Sequence, residues 1–581
     1  MLTIFLIPLL AALLALALNR LIATRWLGVA SAAALLASAA ALIIASNRGT
    51  LLPIAQPWLT LDNQTITLTL AYDAASLPLA VLVTAGGALA VLALALALPA
   101  HLRGYSGLIA AVMLALGATL IGIATSEPLL LPLAWAALTL LAFVALRASG
   151  GQTNQPLPVG LLANLLGAVF LLGGALSVRF GGAGGDLPPV ALASLLGAGM
   201  LALGTPPLHR TVSDVAEAPA HVAAPLLAFG MPLLGGYTLL RFATENMLPD
   251  HWRVGVQLLG ALTLIICAAA ALNERRLRQI VGWLMSAQLG LFLVALGLSH
   301  AATATIAPAL LLNAALSSAA TLLAVGVIER HAGTDDLSEI RLDSALLLPG
   351  VALIIAAASA LGAPGAWGFW PVRWLFDELQ TDTPLLIGPL LAGSALCAMA
   401  WVAPVVAFLR THESEQVPAR TDRSRLLALC PLLMALPLAL LGVAPRMGWN
   451  MWGAAARGAL LGRDAGAIAA PTLPGAAGST GALLALLAII ALPLLLRRSA
   501  RHATTDSEVE ASGVIAPTGL GASLRGLGWL GAPGGLFAQI WEWLIALSRG
   551  VGWLLSFFEQ RYYMAGLMLA VVAVILLLLQ G

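Results

Sequence analysis

Apolar runs of membrane-spanning length recur along the whole chain, separated by short polar stretches. They cover about residues 3–19, 27–46, 76–99, 105–125, 128–146, 157–177, 189–208 and 222–240. They continue at about 254–272, 280–299, 302–328, 344–364, 384–409, 425–444, 481–496 and 563–580. A helix needs ~20 apolar residues to cross a bilayer. The pattern therefore predicts an all-α, polytopic transmembrane helix bundle of about 16 spans. Because the runs are continuously apolar and do not alternate, a closed β-barrel is excluded. One stretch does alternate: Gln56–Asp73, QPWLTLDNQTITLTLAYD, predicts a short external hairpin.

Proline breaks this pattern most densely between Thr205 and Phe242, where Pro206, Pro207, Pro219, Pro225 and Pro232 fall in and around two apolar runs. Proline removes a backbone donor and clashes with the preceding turn, so discontinuous helices are expected here. His209, Arg210, Asp214, Glu217 and His221 lie in the same stretch. Interrupted membrane helices can present freed carbonyls and helix ends to an ion. The same residues also fit a polar loop with helix caps, and residue types alone do not choose between the two.

The C-terminal part departs from a plain bundle. Residues 498–535, rich in Gly, Ser, Thr and Ala, read as a flexible linker. From Leu536 to Phe558 a wide apolar face carries a narrow polar stripe of Gln539, Glu542, Arg549, Ser556 and Glu559. That stripe fits an amphipathic helix in the interface or along neighbouring subunits, with an imperfect extra span as the alternative.

Composition narrows the class further. The chain is 60% hydrophobic and 9% charged, which excludes an ordinary soluble domain. The opening run, Leu2–Leu18, has no charged head and reads as a span and not as a leader. A net charge of +2 gives no nucleic-acid signal. Cys267, Cys397 and Cys430 lie in apolar runs without metal-ligand spacing, so buried thiols are expected, and no metal site or cofactor. Arginines fall seventeen to eight in favour of the loops joining odd to even spans. The positive-inside rule then puts those loops in the cytoplasm of a cell (inner) membrane protein and the N-terminus outside.

The pattern DxxEAPxxVxA followed by GxYxLLRF occupies Asp214, Glu217, Ala218, Pro219, Val222, Ala224, Gly235, Tyr237 and Arg241. A second block, ERRLRQIVGWLMSAQLG, spans Glu274–Gly290, and a third, GAPGAWGFW, spans Gly362–Trp370. In this order the blocks resemble the proton-antiporter-like membrane subunits of respiratory complex I, membrane-bound hydrogenases and multi-subunit sodium/proton antiporters. The resemblance covers roughly residues 70–410. It implies N-terminal spans and a hairpin at 1–69, an antiporter-like core at 70–410 and C-terminal spans at 411–497. Beyond the 498–535 linker it implies a lateral-type amphipathic helix and a final span at 536–581. It also implies other membrane subunits as partners and the same orientation.

The family moves protons through a buried glutamate and several buried lysines, with histidine at some positions. Carried over one by one, those positions fall at Ala136, Ala202, Leu233 and Val372, with Arg373 beside the last and Asn313 and Ser317 at a histidine–lysine pair. The chain contains no lysine, and runs 189–208, 222–240, 280–299 and 302–328 contain no ionisable Asp, Glu, Arg or His either. Arginine is no substitute, because its pKa above ~12 prevents release of the proton. The resemblance thus implies a membrane-arm scaffold in a complex I-like (NADH-quinone oxidoreductase-type) or hydrogenase-like assembly, its own relay lost. The alternative is an active proton or cation antiporter using the peripheral carboxylates and histidines His209, Asp214, Glu217 and His221, with Asn313 and Ser317 holding water; Arg373 stands beside them as a candidate ion-path or subunit-contact residue. An unrelated permease sharing only apolar composition is disfavoured by the three ordered blocks. No nucleotide, flavin, quinone or metal motif stands out.

Overall fold

A computed structural model describes residues 2–61, 64–99, 105–125, 127–149, 159–180, 189–245, 248–337, 339–340, 346–409, 425–462, 471, 473 and 476–503, together with 546, 549, 550 and 553. The linker predicted at 498–535 is helical at 498–503, where it continues the helix Ala476–Ala503; its remainder, the amphipathic helix and the final span predicted from sequence lie outside the described residues, apart from those four isolated positions.

The first half contains α1 (Leu2–Ala17), α2 (Thr24–Asn47), β1 (Ile54–Leu61), β2 (Gln64–Leu70), α3 (Ser76–Val81), α4 (Gly87–Ala97), α5 (Ser106–Ala124), α6 (Leu131–Ser149) and α7 (Val159–Phe180). A π turn over Leu82–Gly86 joins α3 to α4 into one span. Next come α8 (Pro189–Leu203), α9 (Arg210–Ala216), α10 (Ala220–Phe229), α11 (Met231–Glu245), α12 (Asp250–Asn273), α13 (Leu277–Leu296) and α14 (His300–Ala332). The chain continues through α15 (Leu347–Ala360), α16 (Phe369–Asp382), α17 (Ile387–Leu409), α18 (Arg425–Val443), α19 (Pro445–Gly448), α20 (Ala454–Leu461) and α21 (Ala476–Ala503).

Among the described residues, eleven helical segments are long and apolar enough to cross a membrane, and four shorter apolar helices accompany them. The shortfall from the longest sequence runs has local causes. Run 189–208 ends as a helix at Leu203 because Gly204 turns left-handed (φ 66°) and Pro206 and Pro207 follow. Run 344–364 yields only α15, because Gly362 and Gly365 both have positive φ. Run 222–240 spans two helices that meet at Gly230, after which Pro232 occupies the second position of α11, where its missing N–H costs nothing. The predicted hairpin forms as antiparallel β1–β2, starting two residues early and bulged between Pro57 and Leu59.

The bundle has an inner and an outer ring. The apolar windows of α10–α11 and α14 are 100% buried and that of α13 is 94% buried, whereas α2, α6 and α7 bury 44% of theirs. Leucines such as Leu14, Leu258, Leu391 and Leu440 face outward. In a bilayer such leucines meet acyl chains at no cost, so they need no protein partner. The helices α10, α11, α13 and α14 therefore form the protein's interior.

Candidate ion-path site

Two chain breaks flank this interior, and each is fixed by side chains from the motif blocks. At the first break, between α8 and α10, Asp214 accepts hydrogen bonds from the backbone N–H groups of Gly160 (2.7 Å) and Leu161 (3.3 Å). It thus caps the start of α7 while pairing with Arg210 at 3.4 Å. Burial pushes its carboxyl up to about 6, against the opposing pull of Arg210 and the two N–H groups. Thr211 adds a bond to the Gly160 carbonyl, and His209 packs its ring on Trp283 with centroids 4.9 Å apart. Asp214 and His209 are thus buried fasteners of α7 and α13 to the break. Glu217 has an exposed side chain, while its backbone carbonyl accepts from Arg278 Nη1 at 2.8 Å. His221 is buried against Gly326 of α14.

At the second break, between α15 and α16, Asn313 reaches from the middle of α14. Its Nδ2 donates to the Ser359 carbonyl (3.2 Å), its Oδ1 accepts from Ser359 Oγ (2.7 Å), and that Oγ in turn accepts from Gly368 N–H (3.0 Å). Trp367 donates to the Ala309 carbonyl and Trp370 to the Gly442 carbonyl, fixing the break to α14 and α18. Ser317 donates to Gln288 Oε1 of α13 at 2.9 Å. In hydrocarbon each freed polar group needs such an internal partner. Arg373 stands apart from this network: it is half-exposed and lies 3.7 Å from Asp377 on its own helix.

The relay positions are filled by packing. Ala202 is fully buried, and a Cβ placed on Gly235 of α11 would come within 2.5 Å of the Ala202 Cβ. The helices α8 and α11 therefore approach at glycine distance, where a lysine stem has no room. Leu233 is also buried, and Ala136 follows buried Trp135, which donates to the Asn164 carbonyl at 3.1 Å. Val372 packs over Gly362 at the second break.

Three polar features escape sequence reasoning. Asn164 of α7 donates to Thr139 Oγ1 (3.0 Å) and lies within the buried core. Gln288 is visible only as part of the SAQLG block. In sequence Arg278 and Glu329 are a loop charge and a helix end, but Arg278 Nε approaches Glu329 Oε1 at 2.9 Å and Nη2 pairs with Asp335 at 2.7 Å. Only its place one residue past run 302–328 hints that Glu329 is partly buried.

Residues 188–389 match the family model described as NADH:quinone oxidoreductase/Mrp antiporter, TM. Through this segment the chain is related to antiporter-like membrane chains of complex I and Mrp antiporters. It is 26% identical over 219 residues to a Na(+)/H(+) antiporter subunit of Alkalihalophilus pseudofirmus, covering 35% of this chain and 27% of that relative. It is 27% identical over 348 residues to NAD(P)H-quinone oxidoreductase chain 4 of Synechococcus sp., covering 55% and 61%. The chain thus spans about a quarter of the length of the Alkalihalophilus relative. A chain of the Mrp complex from Dietzia sp. shares the fold with a TM-score of 0.64 at 21% identity, over 94% of this chain and 62% of that one. A chain of respiratory complex I from Thermus thermophilus does so with a TM-score of 0.60 at 21% identity, over 77% and 98%. Both structural neighbours are chains of larger complexes.

Proposed function

We propose that this antiporter-like protein serves as a membrane-arm scaffold in a complex I-like or hydrogenase-like proton-translocating assembly, with no complete proton path of its own. The observation that carries this reading is the close approach of α8 and α11 at Ala202 and Gly235, where the family's lysine would need space. Asn313 and Ser317, at the next pair of relay positions, are neutral and spend their hydrogen bonds on Ser359 and Gln288. A proton crossing between the two breaks would find no Asp, Glu, Lys, Arg or His in runs 189–208, 222–240, 280–299 and 302–328. The arginine bias favours a cell-membrane orientation in which Arg210, Arg278 and Arg330 face the cytoplasm and Arg241 and Arg253 face outward.

Reconstitution of the purified chain in liposomes under an imposed pH gradient tests the reading. The expected proton flux is that of protein-free vesicles. Flux that Glu217→Gln or Asp214→Asn abolishes would establish an active antiporter instead. Recovery from native membranes in association with other membrane subunits is expected as well, and a lone monomer would count against the membrane-arm role.

A further inference from the structure

Where the first break restarts as α10, the structure gathers ionisable groups that none of the relay positions uses. Arg278, in the first turn of α13, faces Glu329 in the last turn of α14 and Asp335 in the loop beyond it. The loop is held by backbone bonds from Leu277 N–H to the Asp335 carbonyl (2.9 Å) and from Leu337 N–H to the Arg275 carbonyl (3.1 Å). Two carboxylates thus share one guanidinium, and the sharing is unequal. The single hydrogen on Arg278 Nε is directed to Asp335 Oδ2 at 3.1 Å. Glu329 Oε1 lies 2.9 Å from the same nitrogen but receives no hydrogen bond. Its other oxygen accepts only a long bond, 3.5 Å, from the Ala220 N–H at the start of α10.

One turn deeper on the same stripe of α14, Gly326 faces His221, which is 6% exposed. Neither nitrogen of that ring makes a well-formed hydrogen bond, the Gly326 backbone being only a loose neighbour. Glu329 also sits at the C-terminal end of a 33-residue helix, where the exposed carbonyls repel a carboxylate. The other charged or titratable residues in these segments are Arg330 and His331 on its own helix, Glu274, Arg275, Arg276 and Asp336 in the paired loops, and the exposed Glu217 at the hinge. The described segments of α4 and α15 bring no charge here, and α18 brings only the exposed Arg425. The charges of α11, α16 and α20 lie at the opposite end of the bundle, where Glu378 meets Ser299.

We propose that Glu329, shared with Asp335 through Arg278 and backed by His221, is a proton-binding site at the Arg278 end of the bundle. With His221 neutral, the group Arg278, Glu329 and Asp335 carries one net negative charge, and one proton from water on Glu329 cancels it. The proton forms an O–H bond on Oε1, the oxygen without a donor. Loss of the carboxylate charge also weakens its hold on Ala220 N–H and Arg278, the two groups that meet the Glu217–Pro219 hinge. The site exchanges protons with water at one end of the bundle only. It therefore stands whether or not any flux crosses the membrane.

Infrared difference spectra of the purified full chain, recorded as pH is lowered, test this. Above the ordinary carboxyl range and in an Asp214→Asn background, which removes the other raised carboxyl, a carboxylic C=O band should grow, persist on adding Glu217→Gln and disappear on adding Glu329→Gln. Its titration midpoint should move to lower pH in His221→Lys or in Asp335→Asn, because each leaves more positive potential on Glu329. A band that survives Glu329→Gln in protein retaining its helical circular dichroism would overturn the assignment. So would a midpoint unmoved by either neighbouring substitution.

Discussion

Arg241 Nη1 meets Asp73 Oδ2 at 2.6 Å, joining residues 168 positions apart in the sequence. Arg241 is the last charged residue of the GxYxLLRF block, and its other nitrogen holds Glu245 at 2.6 Å. Asp73 simultaneously caps α3, accepting from Ala75 N–H, Ser76 N–H and Ser76 Oγ. The pair therefore ties the end of α11 to the first turn of the span that begins at Ser76.

Because Asp73 does two jobs, its loss should cost more than loss of Arg241. Asp73→Ala removes a helix cap and an ion pair, whereas Arg241→Gln removes that pair and a largely exposed i,i+4 pair with Glu245, which contributes less than the cap. The pair is part-exposed, so it is discounted to ~1 kcal/mol, with about 1 kcal/mol more for the cap. Thermal unfolding in detergent should rank Asp73→Ala below Arg241→Gln. Equal losses would show that the cap contributes no more than the Glu245 pair.

The same carboxyl sets a direction with pH. Burial pushes the Asp73 carboxyl up, but Arg241 and the Ser76 bonds outweigh it and hold it below the ordinary range. Its contribution is thus present above the unfolded carboxyl pKa and is lost as pH falls through the folded value. Acid unfolding of Arg241→Gln should accordingly show a weaker loss of stability with falling pH than the wild type.

Asp214 behaves in the opposite sense. With a carboxyl raised to about 6, the folded state holds a proton that the unfolded chain releases near pH ~4. Stability from this group is fully present below that lower value and declines as pH rises to about 6. Asp214→Asn should remove the decline while keeping one acceptor for Gly160 N–H. Asp214→Ala should lose ~1 kcal/mol at every pH, since the start of α7 is left uncapped. Stability curves against pH for the three proteins separate these outcomes.

Gly235→Ala tests the packed relay position directly. The added methyl would meet the Ala202 Cβ at 2.5 Å, closer than two carbons tolerate. Overpacking of this kind costs ~1–3 kcal/mol. A fall in thermal stability is expected, and unchanged stability would mean that α8 and α11 separate freely.

At the second break, Asn313→Ala strips Ser359 of both partners supplied by Asn313. Leaving buried polar groups unsatisfied costs ~1–3 kcal/mol, and proteolysis of the segment around Gly362 should increase. Arg373→Gln, on the half-exposed face nearby, should leave both readouts unchanged.

The sequence by itself determined the membrane class, the breaks and the hairpin. Apolar run length, proline and glycine placement, and alternation are local properties that report what a segment does in lipid. The absence of lysine is likewise a property of the sequence that no fold can alter. Which polar residues meet was decided elsewhere. Asp214 and Glu217 are three positions apart, yet one is buried under the start of α7 while the other points to solvent. Arg373 and Asn313 are equal candidates by resemblance, but only Asn313 joins the interior network. Glu329 is no more than the charged end of a span until the fold brings Arg278, Asp335 and Ala220 to it from three other segments. Burial and pairing of charge depend on which helices close around a residue, and that is settled by tertiary packing.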